Sequence, residues 1–323
     1  MKKYDVIIVG AGPAGMTAGI FASRRELKTL IVTDDIGGQM LSTTNIENYP
    51  GFKKIEALEL VKRLEDHVRH FGVEIVRDVV TGVKQTGEKE FTVFSKKNKY
   101  KSKAVILAFG KSPRALGVPG EKEFSGKGVS YCANCDGPMF KKMPVAVVGG
   151  GNSAFESAHY MAKIASKVYL IHRRNEFRAF ESLVKQVKKL GVEFILNTEV
   201  KEMKGDKFLK SLVLEDVNTH KRRELQVSGV FIEIGSEVKS EIIKDLVKLD
   251  ESNHVVIDDK CQTFYPNSNK IRPGVFAAGD ITSVPFKQII ISAGEGAKAA
   301  LQAYNYIHDI ETKGIVADWS TQH

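Results

Sequence analysis

The stretch Tyr131-Cys-Ala-Asn-Cys-Asp-Gly137 places two of the chain's three cysteines, Cys132 and Cys135, in a C-x-x-C pair. Three chemistries use that spacing: half of a metal site, a permanent staple, or a dithiol that exchanges electrons. A structural zinc site takes about four ligands. Here there is no second C-x-x-C, no histidine flanks the pair, and Cys261 is remote in sequence. A staple across two intervening residues closes so small a loop that the chain-entropy gain is slight. Three cysteines in 323 residues also fit a reducing compartment, where such bridges do not persist. A redox dithiol remains. One thiol of such a pair is commonly acidified by a helix N-terminus or a neighbouring charge, so that its thiolate attacks a disulfide. Asp136 follows directly and is placed to move protons to and from a sulfur. Cys261 reads as a small buried residue without a chemical role.

A dithiol must be supplied with electrons, and the elements around the pair show a source. Two segments align without gaps, VIIVGAGPAGMTAGIFASRRELKTLIVTDD from Val6 and VAVVGGGNSAFESAHYMAKIASKVYLIHRR from Val145. Each is an apolar β-rich run, a glycine turn, a helix-compatible stretch and a second apolar run. Each therefore predicts a βαβ unit. Gly10, Gly12 and Gly15 form G-x-G-x-x-G, and Gly149, Gly151 and Ala154 form its alanine variant. The first glycine makes the tight turn, the second admits a pyrophosphate and the third packs helix on strand. The phosphate then sits at the helix N-terminus, where free N–H groups favour an anion. One such match is weak evidence, but two in the same strand-turn-helix context predict two dinucleotides.

The end of the second strand discriminates between them. Thr33 and His172 stand at matching places, 23 residues after Gly10 and Gly149. Thr33 is followed by Asp34 and Asp35, with no basic residue to meet a 2′-phosphate, which suits FAD. His172 is followed by Arg173 and Arg174, with Arg178 one helical turn on, and guanidiniums fork onto phosphate oxygens. The alternative is a solvated basic corner, but this is where a module for NADP places its arginines. Cys135 lies 14 residues before Gly149, at the edge of that second module.

Gly274-Val-Phe-Ala-Ala-Gly-Asp280 reads as a further strand ending in Gly279-Asp280. Such a dipeptide is usually only a turn, yet a carboxylate there can accept hydrogen bonds from ribityl hydroxyls. The helix-compatible run Ser292–Ala300 carries a small-residue face. If this piece returns to the first module, that domain is split and the second is inserted in it. Short strands over 91–94 and 105–109 would complete the first half, and 228–234 would mirror 103–109 in the second. The composition, 42% hydrophobic and 27% charged, is that of a soluble globular chain. The net charge of +9 is spread among 39 acidic residues and reads as a solvated lysine-rich surface; nucleic acid and membrane are not expected partners. Val6–Ala22 is uncharged but too short and glycine-rich for a membrane span, and Asp5 with Gly10, Gly12 and Gly15 spoils a signal peptide. A cytoplasmic protein is expected.

These motifs together resemble the low-molecular-weight thioredoxin reductases: GAGPAG at Gly10, GGQM and NIENYPGF from Gly37, CANCDG at Cys132, VVGGGNSAFESA at Val147, HRRNEFRA at His172 and GVFAAGD at Gly274. The match covers nearly the whole chain. The glutathione-reductase type carries its cysteines close after the first G-x-G-x-x-G, where this chain has none. The resemblance implies an α/β fold of two Rossmann-like, doubly wound, three-layer dinucleotide-binding domains. The FAD domain would be discontinuous, residues 1–115 and 246–323, and residues 116–245 would bind NADPH and carry the redox-active pair. It implies that NADPH reduces FAD, that FAD reduces the Cys132–Cys135 disulfide, and that the dithiol reduces thioredoxin or a thioredoxin-like protein. Cys135 would face the flavin, Cys132 would attack the partner's disulfide, and Asp136 would act as acid and base. Family members are homodimers that alternate between two domain orientations.

By the same resemblance FAD would be held by Gly10, Gly12, Pro13, Ala14, Gly15, Thr33 and Asp34, by Gly38, Gln39 and Asn48, by Ala108 and Gly110, and by Gly279, Asp280, Lys287, Gln288, Ile289 and Ala293. NADPH would be held by Gly149, Gly151, Asn152, Ser153, His172, Arg173, Arg174, Arg178, Ile234 and Gly235. The chain departs from the family pattern at Asn134, Asn175 and Phe109, at Lys287 where arginine is common, and after Gly235, where Pro-Asn is absent. None of these touches the chemistry. Two other readings are a flavin disulfide reductase with another acceptor or with NADH preference, and a flavin-dithiol redox sensor that is reduced once and stops.

Overall fold

A computed structural model describes residues 2–42 and 45–311; the tail Asp318–His323, to which the sequence assigns no role, lies outside the described residues. The chain begins with β1 (Lys3–Ala11), α1 (Pro13–Arg24) and β2 (Thr29–Ile36), then β3 (Asn45–Ile46), β4 (Ile55–Glu56), α2 (Ala57–His70) and β5 (Glu74–Arg77). An antiparallel run follows, β6 (Val80–Gly87), β7 (Glu90–Ser95) and β8 (Lys99–Leu107). Val6–Val9 of β1 is buried throughout, the continuous apolar run of a strand covered on both faces. It pairs parallel with β2 on one side and β8 on the other. Proline at the first position of α1 costs no hydrogen bond, because that amide has no partner within a helix.

A second compact unit occupies Ser112–Glu237, while the chain from Val238 onward rejoins the first. The second unit contains β9 (Ser112–Pro113), β10 (Val129–Ser130), α3 (Ala133–Asp136), β11 (Pro144–Val148), α4 (Asn152–Met161), β12 (Lys167–Ile171), α5 (Glu181–Lys189) and β13 (Glu193–Ile195). Then come β14 (Thr198–Gly205), β15 (Leu209–Asp216) and β16 (Arg222–Gln226) as an antiparallel sheet, β17 (Gly229–Ile232) and β18 (Ser236–Glu237). β9 pairs antiparallel with β18, so the entering and leaving segments are stitched together. The chain ends with β19 (Gln262–Phe264), β20 (Ile271–Ala277) and α6 (Ile289–Ile307). Among the described residues no helix is long and apolar enough to cross a membrane.

Both units solve the same packing problem. In the first, the order β20-β8-β1-β2-β5 presents Val6, Ile8, Ile31 and Ile106 to α1, α2 and α6. The alternate residues Ile7, Val9, Leu30 and Val105 face β6, β7 and the segment around Ile243–Val255. In the second, the order β10-β17-β11-β12-β13 presents Val145, Val147, Leu170 and Phe231 to α4 and α5, and Ala146, Val148, Ile171 and Val230 to β14–β16. Period-two alternation in a strand thus makes three layers twice over. The predicted strand over 105–109 stops at Leu107. Ala108 N–H still donates to Val9 O at 2.8 Å, and the chain then turns away at Gly110, whose φ is +63°. The mirror strand over 228–234 is likewise shortened to β17.

The registers show that β10 is the counterpart of β20. Ile7 pairs with Val105 and Val105 with Val275; Ala146, the repeat mate of Ile7, pairs with Val230 and Val230 with Val129. The first unit takes this strand from the C-terminal side of the chain and the second from the N-terminal side. Three residues beyond these paired positions stand Ala278 in one unit and Cys132 in the other.

α6 crosses α1 so closely that a Cβ on Gly296 would lie 2.1 Å from Ala14 O, whereas one on Gly294 would meet nothing within 4 Å. Gly296→Ala is expected to lower stability by about 3 kcal/mol through overpacking. Gly294→Ala is expected to raise it by about 0.5–1 kcal/mol through helix propensity. Thermal unfolding of the two variants checks this; equal shifts would mean the crossing is not close-packed.

Candidate functional site

In the first unit the glycine loop is closed on two sides and open on one. A Cβ on Gly10 would lie 2.5 Å from Ala108 O, and one on Gly15 would lie 1.9 Å from Gly10 O, but one on Gly12 would meet nothing within 4 Å. α1 starts at Gly12 with no side-chain cap, so its first-turn amides have no side-chain acceptor. Anionic oxygen fits there: open space at the second glycine, and unused N–H donors behind it. Pro13 opens the helix, and Ala14, 3% exposed, packs against Gly279 and Gly296.

Around that loop a polar ring gathers side chains from distant segments. Asp280 Oδ2 accepts from Gln39 Nε2 at 2.8 Å and Oδ1 from Ser292 Oγ at 3.3 Å. Asn48 Nδ2 donates to Gln288 Oε1 at 2.9 Å. Gly38 N–H is held by Asp35 Oδ1 at 2.8 Å, and Asp34 is exposed. Lys287 Nζ donates to Thr282 O at 2.6 Å, and burial, reinforced by Lys111, pushes its pKa down. Ile289 begins α6, and Ala108 and Ala293 are buried. The hydroxyl of Thr33 serves the strands themselves. It accepts Ala11 N–H at 3.2 Å and donates to Asp35 O, and the residue is 4% exposed.

Glu295 escaped the sequence reading. It is 5% exposed in α6, and its Oε2 accepts Gly279 N–H at 2.7 Å. Burial pushes its carboxyl up, against the hydrogen bonds from Gly279 and Thr282. The one available signal was a glutamate interrupting an otherwise small-residue helix face.

The second unit repeats the loop. A Cβ on Gly149 would lie 2.3 Å from Glu233 O, while one on Gly151 would meet nothing within 4 Å. α4 also begins without a side-chain cap, and Ser153 is exposed in its first turn. Asn152 Oδ1 instead accepts Phe180 N–H at 2.8 Å, and Arg178 N–H donates to Gly150 O at 2.8 Å, so the segment after β12 folds back over the loop. His172 lies on the middle glycine: a Cβ on Gly150 would stand 2.3 Å from its Cε1. Its Nε2 is 3.0 Å from Glu176 O, an acceptor, so Nε2 carries the proton. Burial, and then Arg174, Arg173 and Arg178, push its pKa down against that hydrogen bond. The three arginines are exposed, and among the described residues none forms a salt bridge, which leaves a concentrated positive charge at the end of β12. Ile234 is 36% exposed and Gly235 has a φ of +99°; both follow β17 at the same end of the sheet.

The C-x-x-C segment continues β10, and parallel pairing of β10 with β17 and β17 with β11 brings it to the carboxyl ends of the strands, level with the glycine loop. Cys132 is disulfide-bonded, whereas Cys261 is free and buried, its thiol pushed up to about 12 by burial. Asp136 closes the single helical turn α3, its N–H donating to Cys132 O at 3.1 Å. Ser130 Oγ lies 2.6 Å from Asp136 Oδ2. Tyr131 OH donates to Glu121 Oε1 at 2.7 Å, and the same buried carboxylate accepts the N–H groups of Leu116 at 2.9 Å and Gly117 at 2.6 Å. The sequence reading missed Ser130, Glu121 and Glu233, none of which belongs to a spaced motif.

Glu233 is mostly buried beside the loop, accepting Ser157 Oγ–H at 2.7 Å. Burial pushes its carboxyl from the ordinary 4.5 to about 7, and Glu156 adds to the rise. A folded-state pKa above the unfolded one means folding favours the protonated form. The stabilisation is full below about 4.5 and lost as pH rises through about 7. Glu233→Gln is therefore expected to raise stability at pH 8 by about 2 kcal/mol and not at pH 4.5. Unfolding curves at the two pH values would show equal shifts if the carboxylate were solvated instead.

A family model described as pyridine nucleotide-disulphide oxidoreductase matches residues 4–302. The thioredoxin reductase of Bacillus subtilis is 40% identical over 318 residues, covering 96% of this chain and 96% of that protein. That of Peptoclostridium acidaminophilum is 38% identical over 313 residues, covering 94% and 97%. The crystal structure of Lactococcus lactis thioredoxin reductase superposes with a TM-score of 0.80 at 38% identity, covering 95% of this chain and 99% of that one.

Proposed function

The chain belongs to the pyridine nucleotide-disulphide oxidoreductase family, and on that premise we propose that it is an NADPH-dependent thioredoxin reductase. The observation that carries the reading is the second unit's own edge. A disulfide-bonded C-x-x-C cysteine stands level with an uncapped glycine loop and with an arginine cluster that forms no ion pair among the described residues. Bound FAD and NADPH would supply the two-electron transfer to the disulfide.

The residues divide that work. The open face at Gly12 and the amides of α1 would take the FAD pyrophosphate, with Gln39, Asn48 and Asp280 toward its polar parts. Gly151 and α4 would take the NADPH pyrophosphate, and Arg173, Arg174 and Arg178 its 2′-phosphate. His172, held on Gly150 with Nε2 protonated, would orient the loop that carries them. The reducible bond would be Cys132–Cys135. Reduction breaks that S–S bond and adds two protons; Asp136, one residue past Cys135, would pass one of them. Cys132 would then attack the disulfide of a thioredoxin or thioredoxin-like protein. Residues 1–115 with 246–323 would form the FAD domain, and residues 116–245 the NADPH domain. The family resemblance supports a homodimer, and the low cysteine content supports a cytoplasmic setting.

The purified protein should be yellow and should oxidise NADPH rapidly only when a thioredoxin and a disulfide reporter are both present. Cys135→Ser should abolish that thioredoxin-dependent rate; undiminished turnover would remove the dithiol from the path. The double variant Arg173→Ala, Arg174→Ala should raise the KM for NADPH by about 100-fold and that for NADH by less than about threefold, as expected for two lost charge-assisted contacts to a phosphate. Equal increases for both coenzymes would make the cluster mere surface charge.

A further inference from the structure

Ser130 sits at the centre of the redox segment, and no motif marks it. Its Oγ accepts Cys132 N–H at 3.0 Å, lies 2.6 Å from Asp136 Oδ2 and lies 3.2 Å from Cys132 O. A hydroxyl has one hydrogen to give, so it donates to one of the two acceptors at a time. The carboxylate oxygen is nearer, and when ionised it makes the stronger, charge-assisted bond. Ser130 is 4% exposed, so water is a poor substitute for either partner. The last residue of β10, the backbone of Cys132 and the carboxylate of Asp136 are thus tied through one atom.

We propose that Ser130 is a positioning residue for the disulfide step, acting through Asp136 as a two-position hydroxyl. With Asp136 ionised, the Ser130 O–H holds Oδ2 and keeps the carboxylate oriented within the redox segment. With Asp136 protonated, the acid donates to Ser130 Oγ and the O–H turns to Cys132 O. In both protonation states the Ser130 hydroxyl keeps an acceptor for its hydrogen, so it is not stranded as the proton passes. The balance is simple. The S–S bond takes two electrons and two protons; NADPH brings both electrons and one proton as hydride, and solvent brings the other proton through Asp136. Cys132 N–H remains bonded to Oγ throughout, so the backbone of the attacking cysteine does not shift. The inference rests on the reductase reading above.

The test is a double-mutant cycle on the full-length flavin-loaded enzyme, using Ser130→Ala, Asp136→Ala and the pair. Anaerobic mixing with one equivalent of NADPH separates two signals, bleaching of the flavin band and its recovery as the protein's disulfide takes the electrons. Bleaching should keep its rate in Ser130→Ala and Ser130→Thr. Recovery should slow about tenfold in Ser130→Ala, the size of one lost charge-assisted hydrogen bond, and about 100-fold in Asp136→Ala. The double variant should be no slower than Asp136→Ala. Ser130→Thr, which keeps the hydroxyl, should recover at the wild-type rate. If Ser130→Ala does not fold, Ser130→Gly, which also lacks the hydroxyl, replaces it in the cycle. An unchanged recovery rate without the hydroxyl, or effects that multiply in the double variant, would overturn the proposal. A wild-type enzyme whose flavin bleaches but never recovers would instead overturn the reductase reading beneath it.

Discussion

Each unit is organised around a backbone carbonyl lying where the Cβ of the first loop glycine would be. Ala108 O stands 2.5 Å from that point at Gly10, and Glu233 O stands 2.3 Å from it at Gly149. No side chain can be interposed, so the end of the third parallel strand abuts the glycine loop. That contact sets the level at which β8 and β17 stop, and each next strand, β20 or β10, ends beside them. Asp280 in one unit and Cys132 in the other are carried to the carboxyl end of the sheet for the same reason. Open space at Gly12 and Gly151 is the complement of this constraint, because a loop pressed onto its neighbour on one side is free on the other.

On this shared frame the two units line their loop edges with different ionisable groups. The first lines its edge with carboxylates, Asp280 bonded to Gln39 and Ser292 and Glu295 buried on Gly279 N–H. The second collects three guanidiniums around a histidine whose pKa burial, and then these charges, push down. A carboxylate accepts from hydroxyls and a guanidinium forks onto phosphate. The proposed division between FAD and NADPH follows from this difference and needs no difference in backbone geometry.

Buried acids are the least expected feature. Glu121, Glu233 and Glu295 each sit at or beside a loop, and each accepts hydrogen bonds from groups that would otherwise lack a partner. Glu121 joins the amides of residues 116 and 117 to Tyr131, so the segment entering the second unit is fastened next to the disulfide. A carboxylate with two oxygens and several lone pairs can satisfy a cluster of amides that no single backbone carbonyl could reach.

The sequence by itself determined the two βαβ repeats, the glycines at the turns, the arginine cluster and the redox pair. These are local requirements: a turn, a helix start or a C-x-x-C is specified by residues a few positions apart, so their pattern survives in one dimension. Strand ends were less legible, as the stop at Leu107 shows, because pairing partners and not propensity decide where a strand stops. Only the tertiary structure decided that β10 takes the place of β20, and that Gln39 meets Asp280 and Ser157 meets Glu233 across 241 and 76 residues. Ser130 is near Asp136 in sequence, yet its role depends on a strand ending where α3 turns back, and a two-residue strand leaves no period to read. Such contacts arise from the folding of distant segments onto one sheet edge, and a hydrogen bond between them leaves no spacing in the chain.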